Sequence, residues 1–179
     1  MTDLIKRTID ILTVDADRWR VIANGIDRDL LDRPPAPREW SALECLRHAS
    51  LTEAGVFSSR VRAILEGRPD FEIYDPDSDP AQGRDDTDPQ TLVDRHAAGR
   101  VESLSLLATI TDADLDRTSR HPAHGVVSLR QLLNEWAAHD LMHIVQAERA
   151  VMQPFIVGSG PWRPSFADHD VEASPAKAG

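Results

Sequence analysis

Apolar residues recur with a helical period in the first part of the chain. Residues 3–26 place an apolar side chain at every third or fourth position, which predicts an amphipathic helix that ends before the proline-rich stretch 32–37. A second helix is predicted over residues 41–67. Ser41 followed three positions later by Glu44 is a capping box, which satisfies two backbone N–H groups at the start of that helix.

Two further helices are predicted after residue 88. Residues 89–109 begin with Pro89, whose missing N–H does no harm in a first turn. Residues 128–152 begin at Ser128, a good N-cap, and we expect Pro154 to end this last helix.

The four segments predict an all-α protein, a four-helix bundle of up-down-up-down character. Residues 68–88 are rich in aspartate and proline and predict one long acidic loop between helices 2 and 3. Residues 111–127 are rich in turn formers, and no strand is predicted there. We expect one domain over residues 1–171 and a disordered tail over 172–179. Three aromatic residues are expected to pack back over the bundle: Phe155, Trp162 and Phe166.

Composition limits the classes of partner. The net charge is -10, with 30 acidic against 20 basic residues, which argues against nucleic acid as a ligand and leaves a small-molecule substrate. No apolar run approaches the roughly 18 residues of a membrane span, and no secretory signal is evident, so a cytoplasmic location is expected. The single cysteine, Cys45, excludes an internal disulfide and falls on an apolar helix face. Pairing of helix faces into a homodimer is a further expectation.

The main chemical signal is a pair of histidines in the fourth helix. His139 and His143 are four residues apart, so both imidazoles lie on one helix face and can reach one ion. Stepping the helix at 100° per residue places them on the same side as Leu132 and Trp136, which points them inward. His48 occupies a comparable position in the second helix. The alternative for such a pair is an ordinary set of hydrogen bonds.

Three imidazoles on two helices would form one cap of a coordination sphere and leave positions open, as in catalytic metal sites. Imidazole ligands suit zinc, nickel, copper and iron, so the expected cofactor is a divalent metal, with zinc or nickel favoured. An open site of this kind can lower the pKa of water to about 7, or deprotonate a thiol and present it as a nucleophile.

Two groups of residues are typical of a known family. They are Glu39, Trp40, Ser41, His48 and Glu53 around the second helix, and Gly125 to Leu129, His139, Asp140, His143 and Gln146 around the fourth. On these residues the sequence resembles the DinB/YfiT-like superfamily of bacterial metal-binding four-helix bundles. The resemblance extends from the first helix to about Met152 and implies metal binding by one histidine of the second helix and two of the last, here His48, His139 and His143. It also implies enzymes that use low-molecular-weight thiols such as bacillithiol or mycothiol as cosubstrate.

Other polar residues have weaker candidate roles. Gln146 lies one turn beyond His143 and could steady a ligand ring or bond to a neighbouring helix, and Asp140 could act similarly. Glu53 lies on the apolar stripe of the second helix, where a buried ion pair with Arg60 and a general-base role are both open. The remaining histidines are expected to be ordinary surface or loop residues: His96, His121, His124 and His169.

Three functions follow from this site. The favoured one is a metal-dependent S-transferase that joins a cellular thiol to a small electrophile. The second is a metal-dependent hydrolase, and the third is a non-enzymatic module in which a metal staples the bundle or senses stress. For either enzyme, Trp40 and Trp136 are expected to form the pocket wall.

Overall fold

The computed structural model describes residues 3–74 and 88–173, and this part of the chain is mostly helical. The acidic loop predicted at 68–88 falls largely outside these residues, as does the tail predicted at 172–179. The helices are α1 (Asp3–Gly25), α2 (Arg28–Leu31), α3 (Ala42–Thr52), α4 (Ser58–Leu65), α5 (Pro89–Leu107) and α6 (Leu129–Gly158).

The fold is a four-helix bundle, as predicted, formed by α1, the pair α3 and α4, α5, and α6. Helix α1 packs against α5 and α6, and α3 packs against the same two helices. The order around the bundle is therefore α1, α5, α3, α6, so α1 and α3 occupy diagonal corners although only the short helix α2 separates them in sequence. The apolar interior consists of two clusters, one around Trp136 and one around Trp19.

The second long helix contains a π turn that its sequence pattern does not predict. Residues Glu53–Phe57 have π-helical hydrogen bonding and join α3 to α4. The predicted capping box is present at its start, where Ser41 and Glu44 bond reciprocally to each other's backbone N–H groups. A π turn holds an extra residue, so the positions after it are rotated relative to a regular helix. Its location matters because Glu53 was one of the candidate site residues.

The predicted end of the last helix at Met152 is wrong, because α6 continues through Pro154 to Gly158. A proline inside a helix removes one hydrogen bond and crowds the preceding turn. Here the final turn is held by the burial of Ile156, which is 1% exposed, and the helix ends where Ser159 donates its N–H to the Ile156 carbonyl.

A small antiparallel hairpin replaces the strand-free connection expected at 111–127. Strand β1 (Thr118–His121) pairs with β2 (Gly125–Ser128), with Ser119 opposite Val127. Gly125 has φ of 73°, a left-handed conformation that glycine adopts without steric penalty. Four-residue strands are too short to give a clear alternation of apolar and polar positions, which explains why the pattern did not predict them.

The segment after α6 returns to the bundle through polar contacts rather than aromatic ones. The N–H of Val171 donates to the Gln153 side chain at 3.1 Å, and Nε of Arg149 on α6 donates to the carbonyl of His169 at 3.0 Å. The aromatic packing predicted here is wrong, because Phe155, Trp162 and Phe166 are exposed and Trp162 is 69% accessible. In the part of the chain that the structure describes, no helix is long and apolar enough to span a membrane.

Candidate metal centre

The three predicted histidines come together at one point between α3 and α6. The Nε2 atom of His139 lies 3.1 Å from Nε2 of His48 and 3.2 Å from Nε2 of His143. Histidine, cysteine and acidic side chains can all bind a metal ion. Among the described residues, the three histidines form the one group of such side chains that lie closely enough together to hold a single ion. The helical spacing on α6 and the contact between α3 and α6 together produce the cluster.

Gln146 fixes the protonation of one ring in this cluster. Nδ1 of His143 lies 3.0 Å from Oε1 of Gln146. A carbonyl oxygen only accepts, so Nδ1 carries the proton and donates it. Nε2 of His143 is therefore left with a lone pair that points into the cluster. The ring-steadying role that the sequence suggested for Gln146 corresponds to this contact.

Asp140 stands in an equivalent place beside His139. One of its carboxylate oxygens lies 3.7 Å from Nδ1 of His139, beyond hydrogen-bond distance but close enough to favour the proton on that nitrogen. The other oxygen bonds to Arg100. Burial works against the ionised carboxylate, yet His139 and Arg100 together hold the pKa of Asp140 below its ordinary value.

Burial keeps two of the rings neutral near pH 7. It lowers the pKa of His48 to about 4, with His139 contributing in the same direction. It also lowers the pKa of His143 to about 4, assisted by His139 and His48. Neutral imidazole is the form that binds a metal, so these side chains do not have to lose a proton at neutral pH before binding.

The donor set fits a divalent cation. The lone pair on Nε2 of His143 lies 3.2 Å from Nε2 of His139, so a cation between the rings could take one nitrogen from each. Zinc–nitrogen bonds of about 2.0–2.1 Å in a tetrahedron separate the nitrogens by about 3.3 Å, close to the observed spacing. Nδ1 of His48 is buried and has no hydrogen-bond partner among the described residues. Three nitrogen ligands leave at least one position open.

Aromatic side chains surround the three histidines. The ring of Trp40 lies 4.9 Å from that of His48 and 5.8 Å from that of His143, centroid to centroid. On the inner side Phe57 lies 5.0 Å from the His139 ring. The expectation for Trp40 is confirmed, because it lines a cleft beside His143. That for Trp136 is wrong, because this ring is fully buried and stacks on Phe57 at 5.0 Å.

A buried ionic cluster lies directly behind the histidines. Arg100, which is 2% exposed, places Nη2 2.9 Å from Glu53 and 2.5 Å from Asp140. Its Nη1 donates to the carbonyl of Leu12 on α1 at 2.8 Å. One guanidinium thus joins three helices and the π turn, and it reaches the candidate centre through Asp140.

The predicted ion pair of Glu53 with Arg60 is wrong, because Glu53 pairs with Arg100. The Arg60 guanidinium instead lies 5.6 Å from the ring of Phe71. The π turn begins at Glu53, so the helical stepping that aligned these two residues does not hold across it. Glu53 is 1% exposed, and it is not one of the residues that line the cleft beside His143, so its position favours the buried-pair interpretation over the general base.

His96 was expected to lie on the surface and is instead 1% exposed in the core. Its Nε2 lies 3.4 Å from Arg100 and 3.9 Å from the carboxylate of Asp15. Burial lowers the pKa of His96 to about 4, and Arg100 adds to the effect. The spacing along α5 could have indicated this burial. Leu92 and Arg100 lie one turn to either side of His96, and all three side chains are buried on the same helix face.

Three charged residues near the site are not predicted from the sequence pattern: Arg100, Asp15 and Glu135. Arg100 and Asp15 are buried, and burial together with the Asp140 charge raises the pKa of Asp15 to about 8. Glu135 lies one turn before His139, and partial desolvation raises its pKa while His139 opposes the shift. Asp15 lies between Leu12 and Trp19 on the buried face of α1, and this helical spacing is the one feature of the sequence that could have identified it.

The DinB superfamily model matches residues 11–147, so the chain belongs to the DinB superfamily. Among solved structures it is similar to YfiT from Bacillus subtilis, described as a probable metal-dependent hydrolase with an unusual four-helix bundle topology. The TM-score is 0.73 at 18% identity, over 84% of this chain and 87% of that chain. At that identity the likeness shows a shared fold. None of the curated proteins matches the chain.

Proposed function

We propose that this protein is a metal-dependent enzyme in which His48, His139 and His143 hold a divalent cation, and that it transfers a low-molecular-weight thiol to a small electrophile. The observation that carries the metal site is the convergence of three Nε2 atoms, with the proton of His143 fixed on Nδ1 by Gln146. A cation held there supplies a Lewis acid that lowers the pKa of a thiol or a water molecule placed beside it.

The acid–base groups at the site favour a thiol as the nucleophile. Neither Glu53 nor Gln146 can act as a general base. Glu53 is held in an ion pair with Arg100 in the core, and the amide of Gln146 takes up no proton near pH 7. A free thiol has a pKa near 8.5 and needs only a small reduction, whereas the pKa of water must fall from about 15.7. With neither Glu53 nor Gln146 able to accept a proton from the nucleophile, the site suits a thiol better than water.

The transferred thiol has to come from solution. Cys45, the one cysteine of the chain, is fully buried, and burial raises the pKa of its thiol to about 12. In the proposed reaction the cosubstrate sulfur forms a bond to the electrophilic carbon of the second substrate. The leaving group departs with its electron pair, and the thiol proton passes to solvent.

The protein side chains position and shield the reacting groups. Gln146 and Asp140 orient two of the rings, and Trp40 covers the outer side of His48 and His143. Phe57 closes the inner side of His139. The open direction is the cleft beside His143, where both substrates would meet.

Hydrolysis is the second candidate reaction. Glu135 favours it, because this exposed carboxylate lies one turn before His139 and its raised pKa suits a proton acceptor. The description of YfiT as a probable metal-dependent hydrolase also supports it. In this version water replaces the thiol, and Glu135 takes up its proton.

One set of assays separates these reactions. Metal-loaded protein is mixed with chlorodinitrobenzene or p-nitrophenyl acetate, each with and without mycothiol, bacillithiol or N-acetylcysteine. Turnover that requires a thiol and is lost in His143→Ala supports transfer, and ester cleavage without thiol that is lost in Glu135→Gln supports hydrolysis. Exposed His169 provides the control variant His169→Ala, which should retain activity. No thiol-dependent turnover with any substrate contradicts the proposed transfer, and complete inactivity favours the non-enzymatic module.

A further inference from the structure

A cleft of about 600 Å³ opens beside His143 and Gln146. This volume lies within the range of small-molecule binding sites. Apolar groups form most of the wall, and two arginines contribute to it. The residues that define its character are Pro35, Arg38, Trp40, Met142, Val145 and Arg149.

The backbone of Arg38 is unusual. Its φ angle is 71°, and among the described residues other than glycine it is the one with φ in the left-handed region. A side chain in that region costs about 1–2 kcal/mol relative to the ordinary conformation, a penalty that glycine avoids. Pro37 precedes it, in a loop where the prolines restrict other conformations. Folding alone would be served better by glycine here.

Within the described residues, the guanidinium of Arg38 makes no contact that would offset this strain. It is exposed and makes no hydrogen bond or ion pair with any residue in 3–74 or 88–173. Strained positions of this kind are concentrated at ligand sites, where the side chain serves binding rather than stability. Arg38 therefore has the properties of a ligand-binding residue at the rim of the cleft.

Arg149 supplies a second guanidinium that is already oriented. Its Nε donates to the carbonyl of His169 at 3.0 Å, and its Nη1 lies 4.0 Å from the Glu39 carboxylate, which is beyond hydrogen-bond distance. Arginine has five N–H donors, so the other four have no hydrogen-bond partner in the described part of the chain. Glu39 also lines this cleft, but the two guanidiniums outnumber its single carboxylate, which gives the cleft a positive balance on a chain with a net charge of -10.

We propose that the cleft binds a small organic oxyanion, a carboxylate or a phosphonate, through Arg38 and Arg149, with the apolar body of the ligand against Trp40. Arginine donors match the oxygens of such groups and form charge-assisted hydrogen bonds. This inference rests on the proposed function, because it makes the oxyanion part of the electrophilic substrate. The other end of the ligand then faces the three histidines.

Binding of three matched probes to the zinc-loaded full-length protein tests this inference. Phenylacetate, benzylphosphonate and neutral phenylacetamide share one aromatic body, and calorimetry gives a Kd for each. We expect at least one of the two anions to bind roughly tenfold or more tightly than the amide. The comparison between the two anions decides which oxyanion the cleft prefers.

Three variants assign the effect to the two arginines. Arg38→Gly and Arg149→Met should each weaken binding of the preferred anion about tenfold or more and leave the amide unchanged. Arg38→Gly should not lower the thermal midpoint, because glycine relieves the left-handed strain. Arg33→Gly is the matched control, since Arg33 lies in the same loop and does not line this cleft, and it should change neither Kd.

The outcomes distinguish this inference from the proposed function. The inference is overturned if the wild-type protein binds the amide as tightly as both anions. It is also overturned if Arg38→Gly leaves anion binding unchanged, because the anion would then contact the metal directly. Absence of anion binding at millimolar concentrations also overturns it. Anion binding that depends on Arg38 in a protein that turns over no substrate would contradict the proposed function alone.

Discussion

The guanidinium of Arg100 lies 2.5 Å from the carboxylate of Asp140, and both side chains are buried in the middle of the bundle. The same guanidinium forms an ion pair with Glu53 and donates a hydrogen bond to the Leu12 carbonyl on α1, while the other oxygen of Asp140 faces His139. Asp140 is therefore shared by the ionic core and the candidate metal centre. A change at Arg100 should affect the stability of the bundle and the affinity of the site together.

Arg100→Met should lower the free energy of unfolding by about 3–5 kcal/mol, because it leaves the buried carboxylates of Glu53 and Asp140 without their partner. It should also weaken zinc affinity roughly tenfold, since Asp140 loses the contact that holds it beside His139. Urea unfolding and competition with a chromophoric chelator measure the two effects. Arg130→Met is the control: the exposed pair of Arg130 with Asp116 should contribute less than about 1 kcal/mol.

Loss of stability with unchanged zinc affinity in Arg100→Met would contradict the link between the two sites. It would mean that His139 keeps its orientation without Asp140 being anchored by Arg100.

Gln146→Leu should weaken zinc affinity about tenfold, because the Nδ1–H of His143 loses its acceptor and the ring loses its fixed proton position. Gln146→Glu keeps an oxygen acceptor and should bind zinc at least as tightly as wild type. Chelator competition at pH 7 compares the three proteins. Equal zinc affinity for Leu and Gln at this position would show that the contact does not orient the ligand.

The helical period and residue spacing predicted the parts of the site that depend on one regular element. His139 and His143 lie four residues apart within α6, so their common face follows directly from helix geometry. The choice of His48 as third ligand needed the further assumption that the second and fourth helices face each other, which the packing of α3 on α6 satisfies.

The remaining errors arose where tertiary contacts override local pattern. The π turn at Glu53 changes the helix phase, so Arg60 is not its partner. His96 and Arg100 are polar residues on a core face, and their burial depends on carboxylates supplied by other helices. Pro154 is tolerated because Ile156 holds the last turn against the core. None of these partners is visible from residue spacing alone.

Asp15→Asn should stabilise the protein at alkaline pH. The pKa of Asp15 is about 8 in the fold against about 3.9 when unfolded, so between these values the folded state holds a proton that the unfolded state has released. The wild type therefore loses stability as pH rises from about 4 to about 8, whereas asparagine carries no charge.

We expect the gain of Asp15→Asn to exceed about 1.4 kcal/mol at pH 9 and to shrink towards pH 5. Urea unfolding at both pH values measures it, and exposed Asp17→Asn on the same helix should show little change. A destabilised variant at pH 9, or a difference that does not depend on pH, would contradict a buried, protonated Asp15.

Metal-free protein should lose stability as the pH falls from about 6.5 towards 4. His48, His96 and His143 each have a pKa of about 4 in the fold, while unfolded histidine takes up a proton near pH 6.5. In this window the unfolded state therefore binds more protons, which outweighs the opposite contribution of Asp15.

Thermal unfolding of chelator-treated protein from pH 7 to pH 4.5 should show this fall in midpoint. His96→Gln removes one of the three groups and should make the fall shallower. A midpoint that stays constant over this range would show that the histidines are not desolvated in the folded protein.

Metal content is the most direct test of the central claim, that His48, His139 and His143 form one metal site. Elemental analysis after loading and gel filtration should find about one divalent ion per chain in wild type and in the control His169→Ala. His48→Ala, His139→Ala and His143→Ala should each retain little or none while keeping their helical circular dichroism. A wild-type protein that holds no metal, or folded triad variants that hold as much as wild type, would contradict the claim.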